Sequence, residues 1–391
     1  MEPLGQSQVL AYLKRLAAGR RIHLISFEKA ADWANAAERE RIARDMAAAG
    51  IRWHPRRYHK RPSALATAYD IVIGLLSGSW IILRHRVDIV HARSYVPAVT
   101  ALLLKRLTGA KFVFDMRGFW ADEKVDGGAW QPGSRLYRLA KWFERRFLTN
   151  ADVVVSLTHA GVAVMRDFPY LRNNYPHFEV IPTCTDLERF RPIGESFPIK
   201  RASLQGFTLC YLGSVGTRYL FDSVLDYFKN LRVHCSDARL LVINRGDHDY
   251  IRERMRILEV GESWVEIKSV AYSSVAKELG EVDAGIFFYK PAFSTSGTAP
   301  TKLGEFLACG VPCLANAGVG DYEKILEEEG VGVVLHAFGA QEQEKAVRQL
   351  LDLVADTRVG ERCMAAARRH FSLEQGVERY DRIYRSLTIA P

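Results

Sequence analysis

The chain has 391 residues, enough for two or three domains at roughly 100–200 residues each. With 48% hydrophobic, 25% charged and 11% aromatic residues, it is excluded from the disordered, collagen-like and coiled-coil classes. Formal net charge is +9 and lopsided: residues 1–190 hold 29 Lys/Arg against 18 Asp/Glu, and residues 191–391 hold 25 against 27. That asymmetry fits an anionic partner for the first half (a lipid surface, a phosphorylated substrate or nucleic acid) or a basic face that is merely solvated.

Met1–Gln6 has neither the basic nor the apolar part of a signal peptide. A helix is predicted over Val9–Ala18, with no strand ahead of it. A short apolar strand follows at Ile22–Phe27. The most hydrophobic stretch, Ile71–Leu83, has 13 residues and is too short to span a bilayer, which takes about 20. Its basic flanks, Arg52, Arg56, Arg57, Lys60 and Arg61 before and Arg84 and Arg86 after, suit a helix lying in a membrane interface. A helix buried against a sheet fits as well.

Further strands are predicted at Asp88–Ala92, Lys111–Asp115 and Asp152–Leu157, with an apolar helix over Val96–Leu107. The rhythm breaks at Glu179–Gln205, where Pro182, Pro192, Gly194 and Pro198 read as a linker. It resumes with strands at Thr208–Gly213, Arg239–Ile243, Val265–Ile267, Ala284–Phe288, Pro312–Ala315 and Gly332–Leu335. Short apolar strands alternating with helices mean βαβ units and parallel sheets. Three parts follow: residues 1–190, residues 191–370, and a C-terminal helix in residues 371–391 that packs back on the first. Its apolar face carries Val377, Tyr380, Ile383 and Tyr384. The six cysteines form no C-x-x-C pair and read as buried free thiols.

The most informative segment runs from Ser296 to Pro312. A strand leads into a small-residue loop, a helix opens near Pro300 and Thr301, and Gly310 and Pro312 close it. Free N–H groups and the positive dipole end at such a start suit a phosphate, and Lys302 adds a cation. Glu305, one turn in, could accept hydrogen bonds from the vicinal hydroxyls of a ribose. A plain capped helix, with Glu305 favourable to its dipole, accounts for the residues equally well.

Pro300–Pro312 also resembles the donor-site segment of glycosyltransferase family 4. Tyr211–Gly216 is similar to the glycine loop opening that family's second domain, and Val180–Phe190 to its pre-linker segment. His91–Tyr95 and Phe114–Trp120 look like its acceptor loops, and Met1–Gln8 like its first glycine loop. The resemblance covers essentially the whole chain. It implies the GT-B fold: two Rossmann-like, doubly wound parallel-sheet domains facing a cleft. The first would here lack its initial strand, with the natural start upstream of Met1.

The resemblance further implies a retaining enzyme, hexosyl- or similar, moving sugar from a nucleotide-diphosphate donor to a lipid-linked or polysaccharide acceptor. Cell-surface glycan such as lipopolysaccharide or capsule is its setting, in the cytoplasm or peripheral on the inner membrane face. No metal or cofactor is implied beyond the nucleotide-sugar co-substrate. Glu305 matches the second of two family glutamates, and the first falls at Gly297. Ser214 stands where Arg is usual, leaving Arg218 and Lys302 to neutralise the diphosphate.

The donor set is then Gly213, Ser214, Gly216, Asn244, Arg245, Val270, Gly297, Thr298, Ala299, Pro300, Thr301 and Leu303. The acceptor set is Gly5, Gln6, His91 and Arg93. Asp115 and Arg117 complete a catalytic group with Arg218, Lys302 and Glu305; Asp115 either orients an acceptor hydroxyl or pairs structurally with Arg93 or Arg117. The competing reading is a catalytically degenerate GT-B scaffold or binding protein in a polysaccharide assembly. No nucleic-acid module is present.

Overall fold

The computed structural model describes residues 5–192 and 206–388. The second half of the predicted linker lies outside them. In the first lobe β1 (Ile22–Glu28) pairs with β2 (Ile51–Arg57). A separate four-stranded sheet holds β3 (Ile89–Arg93), β4 (Lys111–Asp115), β5 (Val153–Ser156) and β6 (His177–Val180), in that order. The second lobe has six strands: β7 (Thr208–Leu212), β8 (Arg239–Ile243), β9 (Val265–Lys268), β10 (Ala284–Phe287), β11 (Cys313–Asn316) and β12 (Gly332–Leu335). Their order is β12-β11-β10-β7-β8-β9 and every ladder is parallel. Order therefore reverses between β7 and β10, the switch point where open α/β sheets leave a crevice for ligands.

Ten of these strands fall where the apolar runs predict them. The other two, β2 and β6, are edge strands. Ile51–Arg57 carries Trp53 and His54 but also Pro55 and three arginines, and His177–Val180 is half polar. A strand bonded on one side keeps its other edge in solvent, so it needs no continuous apolar run and tolerates Pro.

The apolar stretch predicted over 13 residues belongs to a helix of 23, Ser63–His85, because Ala64–Asp70 continues it. By length and composition it is apolar enough to cross a membrane, though a third of it is buried in the protein. Gly74 and Gly78 bring it close to Thr100 and Leu104 of the Tyr95–Thr108 helix. The opposite stripe, Leu65, Tyr69, Val72, Leu76, Trp80 and Leu83, is more than half exposed at every position.

In the second lobe one core fills each face of the sheet. The Thr301–Ala308 helix rests on one face through Leu303, Phe306 and Leu307. All six cysteines are buried and none is paired in a disulfide. The last helix, Leu373–Thr388, returns to the first lobe, where Tyr380, Ile383 and Tyr384 pack with Tyr12, Val113 and Val155.

Gly285 sets the height of the Thr301–Ala308 helix above β10, since a Cβ there would stand 2.8 Å from the fully buried Phe306 ring. Gly285→Ala is expected to cost about 1–3 kcal/mol of stability, read as a lower urea midpoint with an unchanged slope. An unchanged midpoint would mean that the ring gives way.

Candidate active cleft

A cleft of about 760 Å³ opens between the lobes at the β7/β10 switch point. From the first lobe it is lined by Arg93, Ser94, Arg117, Glu123, Leu157 and Thr183. From the second come Gly213 and Ser214 after β7, Asn244 and Arg245 after β8, and Val270 after β9. Thr298–Lys302 and Glu305 complete it.

The Thr301–Ala308 helix starts at this cleft. Pro300 is its N-cap and supplies no side-chain cap, so the first-turn N–H groups are left to face the cavity. Two bonds fix the approach: the Tyr322 hydroxyl donates to the Pro300 carbonyl at 2.8 Å, and the Thr183 hydroxyl donates to that of Ala299.

Lys302 is buried, and its Nζ makes no hydrogen bond to any described residue. It sits among the Tyr219, Tyr211, Phe287 and Tyr289 rings, 4.5 to 6.0 Å from their centroids. Burial lowers its pKa, opposed by Tyr219 and Glu305. Gly213 lies directly over it, since a Cβ there would stand 3.1 Å from Nζ, and its φ of +117° suits only glycine. Burial pushes the Glu305 carboxyl up to about 7, against Tyr272 and Lys302.

Arg218 bridges the lobes. It donates to the Thr298 hydroxyl at 3.2 Å and pairs with Glu123 of the first lobe at 3.2 Å. Burial raises the Glu123 carboxyl, and Arg218 opposes it.

Several predicted residues stand elsewhere. Asn244 lines the cleft, but its amide is spent on the loop: it donates to the Gly213 carbonyl and accepts from the Gly246 and Asp247 N–H groups. Gly216, at φ +80°, forms the turn beyond the glycine loop, and Leu303 is core. Gln6 opens the N-terminal helical segment Gln6–Leu10, immediately after Gly5.

Gly297 faces the first lobe instead of the cavity. Its Cβ would stand 3.0 Å from Phe119 and 3.2 Å from Gly118. There is no room for a side chain at this position, and the loop lines the cleft from Thr298 onward. Around it the lobes are tied by Thr158 to the Ser296 carbonyl, Ser294 N–H to Asp126, and the His159 and Ala160 N–H groups to Asp321.

Asp115 is buried beneath the cleft floor, among Arg93 at 3.4 Å, His91 at 3.7 Å, Arg117 at 3.9 Å and the Tyr380 hydroxyl at 3.1 Å. Burial by itself would raise its carboxyl; Arg117, then His91 and Arg93, outweigh it and hold it at about 2. The two arginines reach the cleft, while Asp115 does not line it. Of the two readings of this aspartate, the geometry matches pairing. His91 also stays below the cleft, its Nδ1 2.6 Å from the Tyr384 hydroxyl.

Ser94 (φ +73°) and Arg117 (φ +59°) take left-handed backbone conformations at the cleft wall, a strain that concentrates at functional sites. Sequence reasoning missed Ser94, Glu123, Thr183 and the tyrosines around Lys302. Ser94, Thr183 and Tyr211 lie within segments that carry the resemblance and Glu123 does not, but all of them meet their partners only across lobes or strands.

Residues 6–177 match the glycosyl transferase 4-like domain family. That match covers less than half of the chain and falls in the first lobe, and the two parallel-sheet lobes with their cleft at the switch point agree with it. A GDP-mannose-dependent monoacylated alpha-(1-6)-phosphatidylinositol monomannoside mannosyltransferase of Corynebacterium glutamicum is 24% identical over 236 residues. That match spans 58% of this chain and 58% of the relative's length.

Among solved structures, a glycosyltransferase from Rickettsia africae superposes with a TM-score of 0.71 at 16% identity, covering 100% of this chain and 97% of that one. HepE of Anabaena in complex with UDP and glucose gives 0.67 at 13%, covering 100% and 98%. Sucrose-phosphate synthase from Thermosynechococcus elongatus gives 0.69 at 15%, covering 95% and 99%. At these identities the likeness is one of fold, and the fold is GT-B.

Removing the Asp115 charge leaves Arg93 and Arg117 facing each other in a buried site. Asp115→Asn is expected to lose about 3 kcal/mol at pH 7, as for other broken buried pairs. The folded carboxyl is depressed, so its contribution is present above its ordinary value and fades as pH falls from about 4 towards about 2. Denaturant titrations should show the wild type losing more stability than the variant across that window.

Proposed function

We propose that this protein is a retaining, metal-independent glycosyltransferase. It moves a hexosyl group from a nucleoside-diphosphate sugar to a lipid-linked or polysaccharide acceptor in cell-surface glycan synthesis. The observation that carries the donor assignment is the buried, unpartnered Lys302 ammonium beside the open start of a helix. A desolvated cation without a counter-ion is costly, and a diphosphate held by the helix N–H groups supplies one.

Arg218 and Lys302 then offset charge on the leaving diphosphate as the anomeric C–O bond breaks. Glu305 accepts from the ribose hydroxyls, and the loop carrying Gly213 lets the backbone approach the phosphates. Arg93 and Arg117, aimed by Asp115, hold an anionic acceptor on the opposite wall. The bonds between the lobes exclude water from the reacting centre. UDP in HepE and GDP-mannose in the Corynebacterium relative support a nucleotide donor, and the phosphatidylinositol-based acceptor in that relative's name supports a lipid-linked acceptor.

Lys302→Met keeps the bulk and removes the charge. In a thermal-shift series with UDP, GDP and their sugars, at least one nucleotide is expected to raise the wild-type melting temperature by several degrees. The same nucleotide should bind Lys302→Met at least tenfold more weakly. Equal affinity for both proteins would overturn the donor site. The scaffold reading draws on Gly297, where Phe119 occupies the room for a carboxylate; nucleotide binding without sugar transfer to any acceptor would favour it.

Peripheral attachment at the inner membrane face is proposed for the same lobe. The exposed stripe of the Ser63–His85 helix shares a layer with Leu107, Leu136, Leu139 and Trp142, all exposed, and with exposed Arg106, Arg135, Arg138, Arg145 and Arg146. Apolar residues interleaved with arginine suit an anionic interface. Wild type is expected to float with phosphatidylglycerol-containing vesicles, and the double change Leu76→Glu, Trp80→Glu to reduce the bound fraction at least fivefold.

A further inference from the structure

The first-lobe wall of the cleft holds an acidic side chain that neither the donor nor the acceptor assignment uses. Glu123 belongs to the short helix Trp120–Asp126 and lines the cavity together with Arg218, Thr298 and Pro300. Both ends of that helix are fastened to the other lobe. At its start the Phe119 ring meets Phe293, with centroids 5.1 Å apart. At its end Asp126 accepts from the Ser294 N–H at 3.1 Å. Glu123, between the two, is therefore placed by the segment Phe293–Gly297, which leads into Thr298 and the donor helix.

The carboxylate is confined but unspent. Oε2 lies 3.2 Å from Arg218 as an ion pair, and among the described residues none donates a hydrogen bond to either oxygen. Oε1 stands against the bare Gly118 backbone at the seam between the lobes. A Cβ on Gly118 would be 2.8 Å from Oε1 and 3.2 Å from the Gly297 carbonyl oxygen. An ionised carboxylate has several lone-pair sites, and leaving them unfilled away from water is costly. A partly buried ion pair on its own returns little once desolvation is counted.

Among the described residues the cleft is lined by three carboxylates, Glu123, Asp247 and Glu305. Asp247 accepts from the Asn244 amide at 3.4 Å, within the loop after β8. Glu305 lies one turn into the Thr301–Ala308 helix, at the ribose end of the donor as read above. A nucleoside-diphosphate sugar carries its ribose at one end of the diphosphate and its hexose at the other. A carboxylate beside Arg218 on the opposite lobe stands at the hexose end.

Given the nucleotide-sugar donor proposed above, on which this rests, we infer that Glu123 is a sugar-binding residue supplied to the donor site by the other lobe. Its carboxylate accepts hydrogen bonds from vicinal hydroxyls of the hexose being transferred, while Arg218 keeps it ionised and aimed. Nucleotide alone then fills the second lobe's part of the site, and the attached hexose is what engages the first lobe.

Binding titrations on the full chain with UDP, UDP-glucose, GDP and GDP-mannose test this. The readout is the ratio of nucleotide-sugar affinity to nucleotide affinity. In Glu123→Ala that ratio is expected to fall about tenfold, the worth of hydrogen bonds to a charged acceptor. In Glu123→Gln, which keeps the size and one acceptor oxygen, it is expected to fall less. Both variants are expected to bind the nucleotide itself no more weakly than wild type. A ratio unchanged in both variants overturns the inference. So does an equal loss for nucleotide and nucleotide-sugar, because Glu123 would then serve only as a prop for Arg218. Failure of wild type to bind any of the four ligands is the separate failure of the donor site, and it removes this inference as well.

Discussion

A buried charge beneath the cleft organises its first-lobe wall. Asp115 ends β4 under the cleft floor, and its one carboxylate gathers Arg93 from β3, Arg117 from the following loop and Tyr380 from the last helix. The ion group therefore links the sheet, the cleft wall and the C-terminal segment that returns from the other lobe. Two guanidinium groups in one place would repel; the shared carboxylate lets both stand at the cavity edge. Breaking such a group costs far more than forming it contributes, so its worth lies in positioning.

The opposite wall uses the contrary device. Lys302 is buried with aromatic faces around it and no hydrogen-bond partner among the described residues. Ring quadrupoles offset part of the desolvation cost but accept no proton from the ammonium. One wall is thus internally neutralised and the other carries a buried ammonium without a hydrogen-bond partner among the described residues, and the two face each other across a cavity of about 760 Å³. Glycines make the approach possible. Gly213 admits Lys302 beneath the loop, and Gly118 and Gly297 let the lobes touch through their backbones.

The seam at Gly297 links the resemblance to what this chain has changed. Where relatives are expected to carry a carboxylate towards the transferred sugar, this chain brings in Phe119 from the other lobe. Arg218 shows a related shift. It stands four residues beyond the usual arginine position at Ser214, and it is held by Thr298 and Glu123. This wall of the cleft is built from residues that belong to both lobes.

The sequence by itself determined ten of the twelve described strands, the helix opening near Pro300 and the identity of most cleft residues. These are written locally, in apolar runs, a proline, a glycine and a spacing of charges. The edge strands β2 and β6 were not legible, because half-solvated strands need no such run. Tertiary structure alone decided that Asp115 turns to its arginines, that Gly297 meets Phe119 and that Glu123 reaches Arg218. It also decided that the Ser63–His85 helix leaves one apolar stripe in solvent and that β1 and β3 stand apart. Each of these depends on distances between segments far apart in the chain, and periodicity carries no information about such distances.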